Sequence, residues 1–537
     1  MYTDVAARKI WIPIDCFKGE DNQIIRKMGF DTKKYLNAQV KKILDRVSLF
    51  EKLYLEFGGK LCYDSHASRV LPGFDVDTKV QMLRRLGDKI EIIHCISAKD
   101  IEGRKIRRDF GLTYDDQALK DINDLREIGL DVSAVVITRF NNALTAKKFK
   151  QKLQNRGLPV FIHYEIPNYL QDLDFLVSDK GYGKQEHVTT EKKIVVVTAP
   201  GPGSGKFSFC MAQICNDRRR GVKSGFAKFE TFPVWNLSLT HPVNIAYEAA
   251  TADIGDYNVL DTFHKKAYGI TAINYSRDVE NFAIMKKIID KIVDKDDPMA
   301  KYQSPTDMGV NMVKDGIIDD DTVDQASKEE IVRRYFRYHA EFIEGDTFYD
   351  TCERMEQIME KAGVKPEDRS VVLPAREAAE NASKRTNEGK GYRGVFCGAA
   401  IEIILDSGKT VIVTGKNSPL LYAESAALLN ATKIMARVPD RVDVISPNVI
   451  RSMMRLKNTI GLSSTSLDVK EILNAMAASA VADENARKCL DVLDKLRGCE
   501  MHTTHLMNEG SEKTLNQIGF HLTTDANLPF LNETIVS

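Results

Sequence analysis

The chain has 537 residues, and 76 basic and 76 acidic side chains leave it with a formal net charge of zero. This length exceeds one ordinary domain, so we expect about three. Zero net charge excludes a global field that would draw the protein to nucleic acid or to an anionic membrane. No run reaches about 18 apolar residues, and the nine cysteines form no CxxC pair. The sequence therefore predicts a cytoplasmic protein with reduced thiols and no membrane partner, for which nucleic acid is not an expected ligand.

The N-terminal half of the chain predicts an α/β fold. We interpret residues 1–27 as an N-terminal extension, because they do not join the pattern that follows. A helix with Asp31 or Thr32 as its N-cap comes next, and residues 28–185 then alternate β-branched runs with helical patterns. This alternation predicts a doubly wound parallel sheet, whose ligands bind beyond the carboxyl ends of the strands. The residues predicted at that edge are Gly58, Gly59, Lys60, Asp100, Arg104, Arg139 and Asn141.

The most informative stretch is KKIVVVTAPGPGSGKFS, residues 192–208. Residues 194–198 predict a buried strand, and apolar residues at helical spacing follow Lys206. A strand, a glycine-rich turn, a lysine and a helix together build a phosphate cradle. Its glycines admit backbone N–H groups, and the helix N-terminus and the lysine supply positive charge. The candidate nucleotide- or phosphate-binding residues are Gly201, Gly203, Ser204, Gly205, Lys206 and Ser208.

This loop departs from the P-loop pattern GxxxxGK[ST] at two positions. Pro200 occupies the first glycine position, and Phe207 follows the lysine in place of serine or threonine. Ser208 lies about 100° further round the helix, which puts magnesium ligation by a hydroxyl in doubt. The alternative interpretation is a structural turn that uses glycine for close packing of the strand and the helix.

A second, P-loop-like α/β unit is predicted over residues 186–325. Its next strand, residues 225–229, brings Lys228 and Glu230 to the same edge. A lysine there can neutralise charge on a transferring phosphoryl group, and a carboxylate can hold magnesium or act as a base. Asp253, in a later loop, is a further candidate. The competing interpretation of Lys228 and Glu230 is a surface salt bridge.

Gly58, Gly59 and Lys60 repeat the combination of glycine and lysine at a strand end. Lys60 and Arg69 are candidates for recognising a phosphate or carboxylate of the substrate, and His66 is a candidate acid or base. The alternative is a loop stabilised by its own polar contacts. If both glycine–lysine loops are active, the site lies between two domains.

The C-terminal part predicts a helical connection over residues 326–390 and an α+β domain over residues 391–537. Cys499, His502 and His505, in the segment CEMHTTH, suggest a zinc site. Side chains alternate along a strand, so the three would not face the same way, and structural histidines are the competing interpretation. Other elements predicted there are a hairpin turn at residues 406–409, a helix from residue 418 to about 437, and strands at residues 442–445 and 501–507.

Several long phrases resemble a known bacterial family. They are LYLEFGGKLCYDSHASRVLPGF, VVVTAPGPGSGK, AKFETFPVWNLSLTHPVNIAYEAATAD, SPTDMGVNM and LRGCEMHTTH, and they are similar to the family called domain of unknown function 1846. The resemblance runs from about Met28 to near the C-terminus, and it implies a cytoplasmic protein with an N-terminal α/β portion and a separate C-terminal domain. It also implies that Pro200 and the residue after Lys206 are family features. Over about 40 residues the chain resembles, at the level of the fold, dethiobiotin synthetase and related ligases, which implies a role for Lys228.

These features lead to the hypothesis of a small-molecule kinase or ligase that uses ATP and magnesium. In it Lys206 holds the outer phosphates, Lys228 steadies the transferring group, and Glu230 or Asp253 places magnesium. One alternative is a non-catalytic nucleotide or metabolite sensor, and another is a metal-dependent hydrolase built on the C-terminal Cys/His cluster. The expected partner is a small-molecule or phosphorylated ligand, and a homo-oligomer is compatible with the sequence.

Overall fold

A computed structural model describes residues 28–104, 106–107, 112–384, 390–392, 394–462 and 465–528. The predicted N-terminal extension, residues 1–27, lies outside them. Contacts divide the described chain into two compact units. The first unit contains residues 28–335 and 349–364, and the second contains residues 336–348 and 365–528. None of the described helices has the length and apolar character needed to cross a lipid bilayer.

The first unit alternates strands and helices. Its strands are β1 (Lys52–Phe57), β2 (Ile90–Ser97), β3 (Ile106–Arg107), β4 (Leu112–Thr113), β5 (Val132–Phe140), β6 (Val160–Tyr164), β7 (Ile194–Thr198), β8 (Ser224–Phe229), β9 (Asn258–Leu260) and β10 (Ile273–Tyr275). Its helices up to β8 are α1 (Thr32–Val47), α2 (Ser65–Val70), α3 (Thr78–Leu86), α4 (Ala98–Glu102), α5 (Tyr114–Glu127), α6 (Leu144–Gln154), α7 (Leu173–Val177) and α8 (Lys206–Arg219). The later helices are α9 (Pro242–Ala250), α10 (Thr262–Tyr268), α11 (Ser276–Ile292), α12 (Pro305–Met308), α13 (Asp320–Ile343), which continues into the second unit, and α14 (Tyr349–Ala362).

Six of these strands form one parallel sheet in the order β6-β5-β2-β7-β1-β8. The predicted α/β class is confirmed. All five residues of β7 are buried, as its β-branched composition predicts. Strands β2, β5 and β6 are added in chain order toward one edge of the sheet. The next strand, β7, lies instead between β1 and β2. Such a reversal creates a crevice at the carboxyl ends of the strands, where ligands bind in open α/β sheets.

The predicted boundary between residues 185 and 186 does not separate two sheets. It falls in the connection that leads to β7, so strands from both predicted α/β units share one sheet. The first helix matches its prediction, because α1 has Asp31 as its N-cap, and the Asp31 carboxylate accepts the N–H of Lys34 at 2.9 Å.

The second unit contains a four-stranded mixed sheet. Its strands are β11 (Gly398–Ile404), β12 (Thr410–Lys416), β13 (Glu500–Thr503) and β14 (His521–Thr524), in the order β12-β11-β13-β14. Only β13 and β14 pair in parallel. The helices are α15 (Val372–Ser383), α16 (Ala423–Met435), α17 (Pro447–Thr459), α18 (Val469–Ser479), α19 (Glu484–Asp491) and α20 (Glu509–Ile518). The predicted α+β character and the hairpin between β11 and β12 are confirmed.

Two element predictions in the second unit are wrong. The helix predicted from residue 418 begins at Ala423, because the Ser418 hydroxyl accepts the N–H groups of Leu420 and Leu421 in a preceding turn. Residues 442–445 form no strand in the described chain. Val444 and Ile445 are instead buried in the core as irregular backbone, and a short apolar run cannot distinguish that state from a strand.

Candidate functional site

A cavity of about 610 Å³ lies at the carboxyl ends of the parallel strands. Its volume is in the range of small-molecule sites, and its position is the one predicted from the alternating pattern. Each of the six strands contributes a lining residue at or just after its end. These residues are Glu56, Lys99, Thr138, His163, Ala199 and Lys228.

The glycine-rich loop after β7 forms one wall of the cavity. Gly203 and Gly205 have φ angles of +79° and +80°, which disfavour residues that carry a Cβ atom. A Cβ on Gly205 would also lie 2.8 Å from Thr138 Oγ1. The Thr138 hydroxyl donates to the Ser204 carbonyl at 2.8 Å, and the Ser204 hydroxyl donates to the Gly201 carbonyl at 2.9 Å. Hydrogen bonds from Thr138 of β5 and from the Ser204 hydroxyl therefore stabilise one conformation of the loop.

The wall includes the residues 203–208, which contribute six backbone N–H groups. In the described chain, none of these six groups donates to a protein acceptor. Gly205 is the N-cap of α8 and Lys206 is its first residue. The N-terminus of a helix carries partial positive charge, so these N–H groups together favour an anion.

Lys206 extends its charge toward the end of β1. Its Nζ atom lies 4.0 Å from Glu56 Oε1, and both side chains are 11% exposed. Glu56 was not among the predicted site residues. The signal that marks it is a single acidic side chain within the otherwise apolar run LYLEF, at the end of a buried strand.

Lys228 sits in a second charged cluster, at the end of β8. Its Nζ atom lies 2.9 Å from Glu230 Oε1, bonds the Asp278 carboxylate from α11, and lies 5.2 Å from the centroid of the Tyr275 ring. Burial raises the pKa of Glu230 to about 8 and outweighs the attraction of Lys228. Burial alone would lower the pKa of Lys228, but Asp278 and then Glu230 reverse this and raise it. Lys228 and Asp278 are therefore the charged pair, and Glu230 can carry a proton near neutral pH.

Family models match nearly the whole described chain. The model described as domain of unknown function DUF1846, N-terminal, matches residues 28–363, and the corresponding C-terminal model matches residues 367–532. The chain belongs to the DUF1846 family. A UPF0371 protein of Clostridium tetani (strain Massachusetts / E88) is 45% identical over 504 residues, which cover 94% of this chain and 98% of the relative. A UPF0371 protein of Clostridioides difficile (strain 630) is 46% identical over 507 residues, with coverages of 94% and 99%. The resemblance inferred from the sequence phrases is confirmed.

In this DUF1846 chain, the residues predicted to bind substrate, Gly58, Gly59, Lys60 and Arg69, do not all line the same cavity. Gly58 and Gly59 line the main cavity, and a Cβ on Gly58 would lie 2.7 Å from Glu230 Cγ, so the glycine makes room for that carboxyl side chain. Lys60 lines a different, smaller cavity.

His66 and Arg69 do not line the main cavity. His66 Nδ1 lies 3.2 Å from Glu330 Oε1, and Arg69 Nε donates to Glu330 Oε2 at 2.6 Å. Burial lowers the pKa of His66 despite the nearby carboxylate. Both residues contact Glu330, whose side chain is fully buried. The structure thus places them outside the main cavity, and their roles in acid–base chemistry and substrate recognition stay predictions.

Asp253 is exposed and lies outside the lining of the cavity, so the structure does not place it beside the glycine-rich loop after β7. Its neighbour Asp256 does line the cavity and pairs with Arg277 at 2.8 Å. The sequence could not separate these acids, because both fall in one irregular segment.

In the described chain, the ligand atoms of Cys499, His502 and His505 are not close enough together to share an ion. His502 Nδ1 lies 2.9 Å from Thr523 Oγ1, His505 Nε2 lies 3.3 Å from Glu424 Oε2, and Cys499 belongs to the apolar core. The only described group of side chains close enough to share an ion is His241, Asp320 and Asp324. His241 Nδ1 accepts the N–H of Val243, so a neutral ring carries its proton on Nε2, toward the two carboxylates.

Stability should fall as the pH rises through the range in which Glu230 ionises. The folded-state pKa of about 8 lies above the ordinary value of 4.5, so the folded state binds the extra proton between these values. The loss of stability begins near pH 4.5 and is complete above about pH 8. It should amount to about 5 kcal/mol, because each pKa unit corresponds to about 1.4 kcal/mol. Urea denaturation across this range should show that Glu230→Gln removes the slope. The exposed control Glu127→Gln should keep it, and equal slopes in native protein and Glu230→Gln would refute the assignment.

Proposed function

We propose that this DUF1846 protein binds a nucleotide or another phosphorylated metabolite at residues 201–208, and that it acts as an ATP-dependent small-molecule kinase or ligase. The observation that carries this proposal is the set of six backbone N–H groups, without protein acceptors in the described chain, beside Lys206 on the wall of the large cavity. Phosphate oxygens are acceptors only and carry the complementary charge.

The second charged cluster supports transfer in addition to binding. Lys228 lies on the same cavity and can balance charge that develops on a transferring phosphoryl group. Glu230 can exchange a proton with the hydroxyl or amine of an acceptor near neutral pH, because its pKa is about 8 and its ionised fraction can accept that proton. Phosphoryl transfer requires this combination of charge stabilisation and positioning.

The carboxylates that line the cavity suit magnesium bound together with phosphate. Magnesium is usually held by one or two carboxylates and the substrate phosphates, and Glu56 lies beside Lys206 at the phosphate loop. No described group of three ligands at this place is close enough to hold an ion without phosphate. Magnesium would supply further charge neutralisation to the bound phosphates.

The second candidate function is a non-catalytic nucleotide or metabolite sensor. It is favoured by Phe207, which occupies the position where P-loop enzymes place a hydroxyl for magnesium. For either function a reducing compartment such as the cytoplasm is the proposed setting, because the eight described cysteines are free thiols.

Calorimetric titration of the purified protein with ATP, ADP and AMP tests the proposal. Affinity should fall with each phosphate removed, because fewer oxygens reach the N–H groups and Lys206. Equal affinities across the series, or no binding, would contradict a phosphate cradle. Release of ADP that requires magnesium and a small-molecule acceptor would identify an enzyme, whereas tight binding without turnover would identify a sensor.

A further inference from the structure

A second cavity, of about 300 Å³, lies beside the phosphate loop and shares Ala199 with the main cavity. Its walls are the loop after β1 and one face of α5. This volume is at the lower end of the range in which proteins bind small molecules. The polar residues of the lining used below are Cys62, Tyr63, Gln117, Lys120, Asp121 and Asp124.

Gln117 lines this cavity and has an unused hydrogen-bond acceptor. It is 3% exposed, and its Nε2 donates to Asp121 Oδ1 at 2.6 Å. An ionised carboxylate can only accept, so this bond fixes the orientation of the amide and leaves Oε1 facing away from Asp121. Oε1 is buried and meets no donor in the described chain. An unsatisfied buried carbonyl is costly, and a hydrogen-bond donor on a ligand would remove that cost.

The charged residues of the cavity favour a positive donor. Asp121 lies one turn after Gln117 on the same face of α5, and its side chain is 28% exposed although it also contacts His94 Nε2 at 3.3 Å. The Lys120 ammonium bonds Asp124 and lies 5.6 Å from the Tyr63 ring centroid. The ion pair of Lys120 is with Asp124, and in the described chain Asp121 forms no ion pair with a lysine.

The negative charges of Asp121 and Asp124 also affect the pKa of the Cys62 thiol. Burial raises its pKa to about 12, and the next contributions come from Asp121 and Asp124. The cavity therefore disfavours an additional negative charge.

We propose that this second cavity binds a small metabolite carrying an ammonium group, which donates to Gln117 Oε1 and pairs with Asp121. The inference rests on this cavity alone and holds whether or not the main cavity binds a nucleotide.

Three small probes of similar size but different charge test the proposal: ethanolamine, ethylene glycol and glycolate. Binding to the native protein is measured by ligand-observed NMR titration. Ethanolamine should bind about tenfold more tightly than ethylene glycol, because it adds an ion pair, and glycolate should bind least. Equal binding of all three, stronger binding of glycolate, or no binding of ethanolamine would overturn the proposal.

Variants locate the site of binding. Gln117→Met keeps the length of the side chain without its amide, and it should weaken ethanolamine binding about tenfold. Gln151→Met, an exposed control on α6, should bind as the native protein does. Lys206→Ala should also leave ethanolamine binding unchanged, which separates this test from that of the phosphate site. Native affinity in Gln117→Met, or loss of binding in Lys206→Ala, would overturn the proposal. If Gln117→Met does not fold, the relative affinities of the native protein for ethanolamine, ethylene glycol and glycolate test the proposal.

Discussion

Replacing Lys206 with alanine should weaken ATP binding about 10- to 100-fold, because a hydrogen bond to a charged group contributes roughly 1.5–3 kcal/mol. The Lys206 side chain is only 11% exposed and lies 4.0 Å from Glu56, so its charge is poorly screened and only loosely paired within the protein. A phosphate at the neighbouring N–H groups is a closer counter-charge. Calorimetric titration with ATP measures the change directly.

The fold should tolerate this substitution, because alanine is favourable at the start of α8 and Lys206 contributes little to the core. Lys223→Ala, which removes an exposed lysine from the loop after α8, is the matched control and should bind ATP like the native protein. Lys206→Arg keeps the charge and should retain part of the affinity. Native affinity in a folded Lys206→Ala variant would exclude the phosphate cradle as the nucleotide site.

The geometry of the glycine-rich loop after β7 could be predicted because its components are adjacent in sequence. A buried strand, glycines with positive φ and a lysine at the first helical residue occupy residues 194–206. The conformation of such a short segment depends on the backbone preferences and the burial of its own residues, and both can be predicted from the residue types. The geometry of the loop agrees with the prediction, whereas its ligand stays a prediction.

The composition of the cavity could not be predicted, because it depends on strand order. The return of the chain to place β7 beside β1 brings Glu56 to Lys206, although about 150 residues separate them. Asp278 reaches Lys228 from α11 in the same way. Residue spacing contains no information on such contacts.

Long-range partners also explain why His66 and Arg69 lie outside the lining of the main cavity. Their predicted roles depended on nearness in sequence to Gly58 and Gly59, but both contact Glu330, more than 260 residues further along the chain. A buried carboxylate requires such partners, and the charge of Glu330 alone does not reveal that it is buried.

Replacing Lys228 with methionine should destabilise the protein by about 3 kcal/mol, because it leaves a largely buried carboxylate without its counter-charge. The Lys228 and Asp278 side chains are 16% and 14% exposed. Glu230 can hold a proton at neutral pH, since burial raises its pKa to about 8, so Asp278 is the group that loses its partner. Urea denaturation of the native protein and the variant at neutral pH measures the difference.

The double variant Lys228→Met, Asp278→Asn separates a lost charge pair from lost packing. It should recover part of the stability, because neither partner then remains charged and unpaired. Lys99→Met, at a lysine on the same cavity whose side chain is 51% exposed, should change stability by less than about 0.5 kcal/mol. If Lys228→Met is as stable as the native protein, the pair is not maintained in solution. Lys228 would then be able to contact a transferring phosphoryl group without first breaking an ion pair with Asp278.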